Sequence, residues 1–268
     1  MKVDYYKDSA SEKIGLTRTA TLVKQARAEV ENSVLVDNGD LIQGSPMGDY
    51  MADKGIDAGE VHPVYKAMNQ LNYDVGNIGN HEFNYGLEFL AETINDANFP
   101  YVSANVFDKK TGKHYFKPYI IKTHTFKDVD GAEHQIKVGY IGFVPPQIMI
   151  WDKKNLEGQV FAKDIKESAE ELIPQMKAEG AVASDPHKSG AENSTYYLAD
   201  VEGIDAIAFG HSHAVFPGKG FDNIPGVDNE NGTINGVASV MPEKMASGKS
   251  LKAKQKLALS TMASTKSR

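Results

Sequence analysis

The chain has 268 residues, 41% apolar and 24% charged, a composition that fits a folded globular protein and excludes an intrinsically disordered one. A formal charge of −7 gives no overall basis for binding nucleic acid, so nucleic acid is not expected as a partner. The absence of cysteine excludes disulfides and thiolate metal sites and fits an oxidising compartment.

The opening stretch MKVDYYKDSASEKIG has no apolar core, so it does not read as a signal peptide, and no window reaches the roughly eighteen apolar residues of a membrane span. From Thr17 to Val30 the apolar positions Leu22, Val23, Ala26 and Val30 recur at helical spacing. SVLVD (33–37) is short and valine-rich and reads as a buried strand, ending in NGDLIQG. A second helix is expected over 60–71, with Val64, Met68 and Leu71 on one face, leading into YDVGNIG and GNHE. A third begins near Gly86 with Leu87, Leu90 and Ile94 as its stripe, and YVSANV (101–106) is a further strand.

The middle of the chain changes character. KHYFKPYIIKT and IKVGYIGFV flank a polar break, FKDVDGAEHQ, and predict a hairpin turning at the DG pair. Residues 161–179 predict an amphipathic helix through Phe161, Ile165, Ala169, Leu172, Ile173 and Met176, kinked at Pro174. GIDAIAFGHSH reads as an apolar strand ending in a polar cluster, and VDNENGTINGVASVM as another hairpin. With no internal repeat and no long linker, residues 1–242 form one expected domain. Residues 243–268 hold seven Lys or Arg and one acid and read as a basic tail, a solvated helix or disorder. No aromatic residues are interleaved with those lysines, which argues against a nucleic-acid or membrane tail.

Three strand candidates finish in metal-capable residues: VLVDNGD with Asp37 and Asp40, VGNIGNHE with Asn80 and His81, and AIAFGHSH with His211 and His213. Ligands of open sheets bind beyond the carboxyl ends of the strands, so the three clusters are expected at one edge of one sheet. Aspartate, imidazole and an asparagine carbonyl suit Mn, Fe, Zn or Co. Asp40 has two oxygens to bridge a pair of ions, and His211 and His213 can serve one ion each. Asp37 alone reads as a turn acid at a strand end. His81 directly follows Asn80 and is placed to stabilise a transition state or protonate a leaving oxygen. Glu82 reads either as a base or as a group that positions a neighbour. His62, His114, His124 and His134 read as surface or supporting residues.

The ordered set GDLIQG (39–44), GNHE (79–82) and GHSH (210–213) resembles the calcineurin-like metallophosphoesterase superfamily. The text VLVDNGDLIQGSPMGDYMA, VHPVYKAMNQLNYDVGNIGNHEFNYG and YIGFVPPQIMIWDKKNL is similar, within it, to the N-terminal catalytic domain of the bacterial periplasmic 2',3'-cyclic-nucleotide 2'-phosphodiesterase/3'-nucleotidase family, from about Tyr5 to Pro242. The resemblance implies an α/β fold, a four-layer α/β/β/α sandwich, with a dinuclear divalent-metal centre (Mn, Zn, Fe, Co or Mg). It implies Asp40 as the bridge, Asn80, His187 and His211 completing the second site, and His213 in the first. His81 is then the histidine beside the scissile phosphate. Asn84 stands where related 5'-nucleotidases carry the acid that supports it. The implied reaction is in-line attack of water on phosphorus with expulsion of a ribose oxygen, on a small-molecule nucleotide in the periplasm.

The sequence departs from that pattern in three places. No Asp-x-His motif, which supplies two ligands of the family's first metal, precedes GDLIQG, so the first strand is expected to be incomplete and only one ion to bind tightly. His187 sits in EGAVASDPHKSGAENS, where a lysine parts it from its Ser-Gly. After VASVMP the basic tail stands in place of the family's text, and the family's C-terminal domain, which stacks the nucleotide base, is expected to be missing. Two alternatives stand beside the enzyme reading: a non-catalytic fragment or one-metal binding module, and a 5'-nucleotidase-like phosphatase.

Overall fold

The computed structural model describes residues 3–4, 9–10, 15–57, 59–179, 194–212 and 214–241. The expected basic tail at 243–268 lies outside the described residues. Strands Val36–Asp37, Val75–Asn77 and Tyr101–Val102 form a parallel sheet with Val75–Asn77 in the middle. Parallel neighbours need crossovers. Helices Pro46–Lys54 and Pro63–Met68 lie between the first two strands, and Leu87–Ile94 lies between the second and third. Their apolar faces build one core with the sheet ends, through Ile42, Met51, Tyr65, Met68, Ile78, Phe83 and Leu90.

A second sheet carries the strands Ala206–Ala208, Val237–Val240, Thr233–Ile234 and Val227–Asp228 in that spatial order, the first pair parallel and the rest antiparallel. It has its own core of Ile207, Phe209, Phe216, Ile234 and Met241. Between the two in sequence stands a long hairpin, Tyr119–Lys127 against Glu133–Ile141. The fold is thus mixed α/β with several sheets and covering helices, consistent with the expected α/β/β/α layering. No described helix is long and apolar enough to cross a membrane.

Several expectations hold with shifted edges. The first helix is Leu16–Ala28, and the third is Leu87–Ile94. The hairpin strands run further than the polar break suggested, taking in Phe126, Lys127 and Glu133 to Gln135. The turn is fixed by Asp128, whose Oδ1 accepts the N–H groups of Asp130 and Ala132, with Gly131 at φ 83°. VDNENGTINGVASVM forms three short strands rather than a two-stranded hairpin.

Other expectations are corrected. In SVLVD only Val36–Asp37 pairs, and Val34 and Val36 are exposed, because a partner strand lies on one side only among the described residues. YVSANV is not one strand. After Val102 the backbone N–H groups of Ser103 and Ala104 turn to Lys117 and Gly142, and the buried Asn105 side chain bonds Val144 and Lys163, so Val106–Asp108 pairs elsewhere, with Val160–Ala162. Phe161 belongs to that strand pair, stacked on Phe107. The helix begins only at Ile165, where Asp164 accepts the Glu167 N–H at 3.0 Å as its cap.

The helix Pro46–Lys54 was not anticipated, although its signals are in the text. Ser45 caps it by accepting the Gly48 N–H at 3.2 Å, Pro46 opens it and Gly55 at φ 76° ends it. His62, expected as a surface or supporting residue, is fully buried between the edges of Tyr65 and Phe89, with its Nε2 unpartnered. His114 and His124 are half-buried, the first tilted against Phe107 and the second stacked on Phe126, while His134 is exposed beside Asp128.

Two measurements test this account. Leu90→Ala empties a fully buried position and should lower unfolding free energy by about 2–5 kcal/mol, against about 1 kcal/mol for loss of the cap in Ser45→Ala. Urea titration of both variants checks the contrast. Burial lowers the pKa of His62, against a smaller opposing pull from Asp96. The unfolded chain therefore binds the proton more readily, and stability should fall as pH drops below the ordinary histidine value of 6.5. Urea midpoints from pH 8 to 5 should show that slope in the wild type and a shallower one in His62→Phe.

Candidate metal and phosphoester site

Two loops leave the ends of the parallel sheet and touch backbone to backbone. A Cβ added to Gly39, which stands at φ 83°, would lie 2.3 Å from the Gly79 nitrogen; one added to Gly79 would lie 2.5 Å from Asp40 Oδ1. Only glycine at both positions lets the loops approach this closely. Glu82 then ties them together. Its buried Oε2 accepts the N–H groups of Asp40 at 2.7 Å and Gly79 at 2.8 Å, and its Oε1 accepts those of Leu41 at 2.5 Å and Ile42 at 3.3 Å. Burial pushes the Glu82 carboxyl up to about 7, against the Leu41 and Asp40 N–H groups, which pull it down. Both oxygens already face donors, so the carboxylate form is the better satisfied. Of the two roles the sequence left open for Glu82, the geometry is that of a positioning group.

The clamp presents Asp40 and His81 to each other. Asp40, exposed and at φ 61°, accepts the His81 backbone N–H on Oδ1 at 3.0 Å. The His81 ring has its Nδ1 2.8 Å from Asn84 Oδ1, and Asn84 Nδ2 donates to Asp152 Oδ1 at 2.8 Å. Asp37 is not aimed into the group: it accepts the Tyr101 hydroxyl at 3.0 Å, and burial raises its carboxyl to about 6.

The third cluster arrives from the other sheet. His211 follows Ala206–Ala208, so the polar clusters lie at the ends of strands in two sheets, not at one edge of one. The two strand ends nevertheless converge: His211 Nδ1 lies 3.0 Å from the oxygen of the buried Asn80. His211 stands at φ 72° and stacks under Trp151, ring centroids 5.3 Å apart and planes 21° apart. Asp40 and His211 thus both hold left-handed backbone outside glycine, a strain that concentrates at functional sites.

Asp40, Asn80 and His211 offer oxygen and imidazole donors of the kind first-row divalent ions take. Asn80 and His211 are neighbours, with 3.0 Å between the amide oxygen and Nδ1, and would be the donors placed to share an ion. No group of three or more His, Cys, Asp or Glu that could hold a metal occurs among the described residues. His187 and His213, expected as further ligands, lie outside the described residues. The chain's one Asp-x-His triplet, Asp185-Pro186-His187, lies there too.

Sequence reasoning missed Trp151 and Asp152 as neighbours of the site. Asp152 stands 68 positions from Asn84, and nothing in IMIWDKK signals chemistry by spacing. Glu82→Gln should destabilise the fold by about 1–3 kcal/mol, because its amide group would face two N–H donors that lose their acceptor. Urea unfolding checks this, and calorimetry with Mn2+ should show weaker binding, since Asp40 loses its anchor.

The calcineurin-like phosphoesterase family model matches residues 12–215. A 2',3'-cyclic-nucleotide 2'-phosphodiesterase/3'-nucleotidase of Yersinia enterocolitica is 59% identical over 252 residues, covering 90% of this chain but 39% of that protein. The trifunctional nucleotide phosphoesterase YfkN of Bacillus subtilis is 49% identical over 257 residues, 90% of this chain and 18% of its own length. A crystal structure of the calcineurin-like phosphoesterase YfkN from Bacillus subtilis superposes with a TM-score of 0.86 at 48% identity, covering 92% of this chain and 78% of that one. The chain therefore spans well under half the length of these curated relatives. With the family model running through all three polar clusters as far as Val215, the chain belongs to the calcineurin-like phosphoesterases.

Proposed function

We propose that the chain carries the catalytic portion of a metal-dependent nucleotide phosphoesterase, which opens 2',3'-cyclic nucleotides at the 2' ester and removes phosphate from 3'-nucleotides. The observation that carries this reading is the convergence of Asp40, Asn80, His81 and His211 from two sheets. Asp40, Asn80 and His211 would hold a divalent ion, with His187 and His213 as further ligands; the ion supplies Lewis-acid charge to the phosphoryl oxygens. The Nδ1 atom of His81 is engaged by Asn84, which leaves Nε2 to face the phosphoester. Once Nε2 has taken up a proton, so that the ring is an imidazolium with Nδ1–H still on Asn84, it hands that Nε2 proton to the departing ribose oxygen. The similarity to curated nucleotide phosphodiesterases supports the substrate class and, through the resemblance to periplasmic enzymes, nucleotide catabolism in the periplasm.

A second reading, a one-metal binding module without turnover, is favoured by the lack of a three-ligand acidic or histidine group among the described residues. Elemental analysis and hydrolysis of bis(p-nitrophenyl) phosphate and 2',3'-cyclic AMP with Mn2+ separate the two. The enzyme reading expects turnover that chelation abolishes, that Asp40→Asn removes, and that His81→Ala lowers by about 10²–10⁴ in kcat. One tightly bound ion per chain with no turnover in the wild type would establish the second reading instead.

A further inference from the structure

We infer that Asp152 is a positioning residue for His81: acting through Asn84, it fixes the neutral imidazole as the Nδ1–H tautomer and so reserves Nε2 as the nitrogen that takes up and then delivers the working proton. The inference builds on the proposed role of His81, but its geometry stands apart from that role.

The argument begins with what a carboxylate can do. It only accepts, so the Asn84 side chain must turn its NH₂ group toward Asp152, as the 2.8 Å contact from Nδ2 to Oδ1 records. The amide oxygen is then committed to the other side, where it lies 2.8 Å from His81 Nδ1. An amide oxygen also only accepts, so the proton of that contact belongs to Nδ1. Without the carboxylate the amide is free to flip, and its NH₂ would then select the opposite tautomer.

The surroundings of Asp152 show that its carboxylate serves little else. The residue is 7% exposed, and Oδ2 is buried without a hydrogen-bond partner. It occupies the N-cap of the short helix Lys153–Leu156, where an aspartate ordinarily accepts a backbone N–H, yet it makes no capping bond. A buried acid that forgoes its local use and leaves one oxygen unsatisfied is held there for the contact it does make. The same segment steadies the other side of the dyad: Asn155 Nδ2 donates to the carbonyl oxygens of Phe83 at 3.1 Å and Asn84 at 2.8 Å. Asn84 is thereby gripped at backbone and side chain by residues 152–155.

The test reads the tautomer directly. Long-range ¹H–¹⁵N spectra of the ¹⁵N-histidine-labelled full chain, with Mg2+ as the divalent ion and at a pH where the ring is neutral, report which nitrogen carries the proton. The His81 signal is assigned by its loss in His81→Gln. The wild type should show Nδ1–H, and Asp152→Asn should convert it to a mixture or to Nε2–H while the thermal melt stays cooperative. Exchanging the two groups in Asn84→Asp/Asp152→Asn puts a carboxylate directly on Nδ1 and should give Nδ1–H again, which calibrates the spectra, while a merely structural role for Asp152 would leave the tautomer of Asp152→Asn unchanged. In the hydrolysis assay Asp152→Asn should lower kcat about tenfold with KM within about twofold, the pattern of an interaction made in the transition state. An Nε2–H ring in the wild type, or an unchanged tautomer in Asp152→Asn, overturns the inference. Failure of the catalytic reading looks different: His81→Ala would keep full turnover while the tautomer still followed Asp152.

Discussion

Four backbone N–H groups from two separate loops end on a single buried carboxylate, that of Glu82, and the arrangement of the site follows from this. The segment after Val36–Asp37 and the segment after Val75–Asn77 are parallel neighbours whose loops would otherwise splay apart. Glu82 satisfies the amides of residues 40–42 and of Gly79, groups that would be costly to leave unpaired at this depth. Because the acceptor sits in the chain beside His81, the same bonds that close the loops also set Asp40 against the His81 backbone. Gly39 and Gly79 are the steric counterpart: the clamp draws the loops together, and the missing side chains let them come.

Around this rigid centre the remaining groups come from distant parts of the chain. His211 reaches Asn80 from the end of a different sheet, and Asp152 reaches Asn84 from a short helix after the hairpin. Each contact is a single hydrogen bond between side chains, but each meets a loop already immobilised by Glu82. Short polar side chains on strained or tightly turned backbone lose little freedom when they engage, and the left-handed conformations of Asp40 and His211 fit that economy. The site is therefore organised from the backbone outward.

Much of this was legible in the sequence because the residues concerned act locally. GDLIQG and GNHE announce glycine turns, an acid and a histidine at strand ends, and the structure brings Asp40 and His81 into contact. The helix stripes of Leu22 to Ala26 and Leu87 to Ile94 follow from periodicity, which needs no knowledge of partners. What could not be read depended on tertiary neighbours. Val34 and Val36 look like core residues, but burial of a strand depends on what pairs beside it. Ser103 to Asn105 look like strand until the hairpin and the Lys163 region claim their polar groups. His62 looks like a surface histidine because its polar ring gives no hint that Tyr65 and Phe89 will enclose it. The contact between Asp152 and Asn84, far apart in sequence and of ordinary residue types, leaves no periodic trace at all.

The stacking of Trp151 on His211 has a practical corollary. The chain contains one tryptophan, and it lies in van der Waals range of a ring that the chemistry of the site would use. Its fluorescence is thus a local signal in a protein with no competing indole, sensitive to whatever changes the electronic state or orientation of that imidazole. The molecule comes with a built-in optical reporter at the edge of its candidate site, readable without a label.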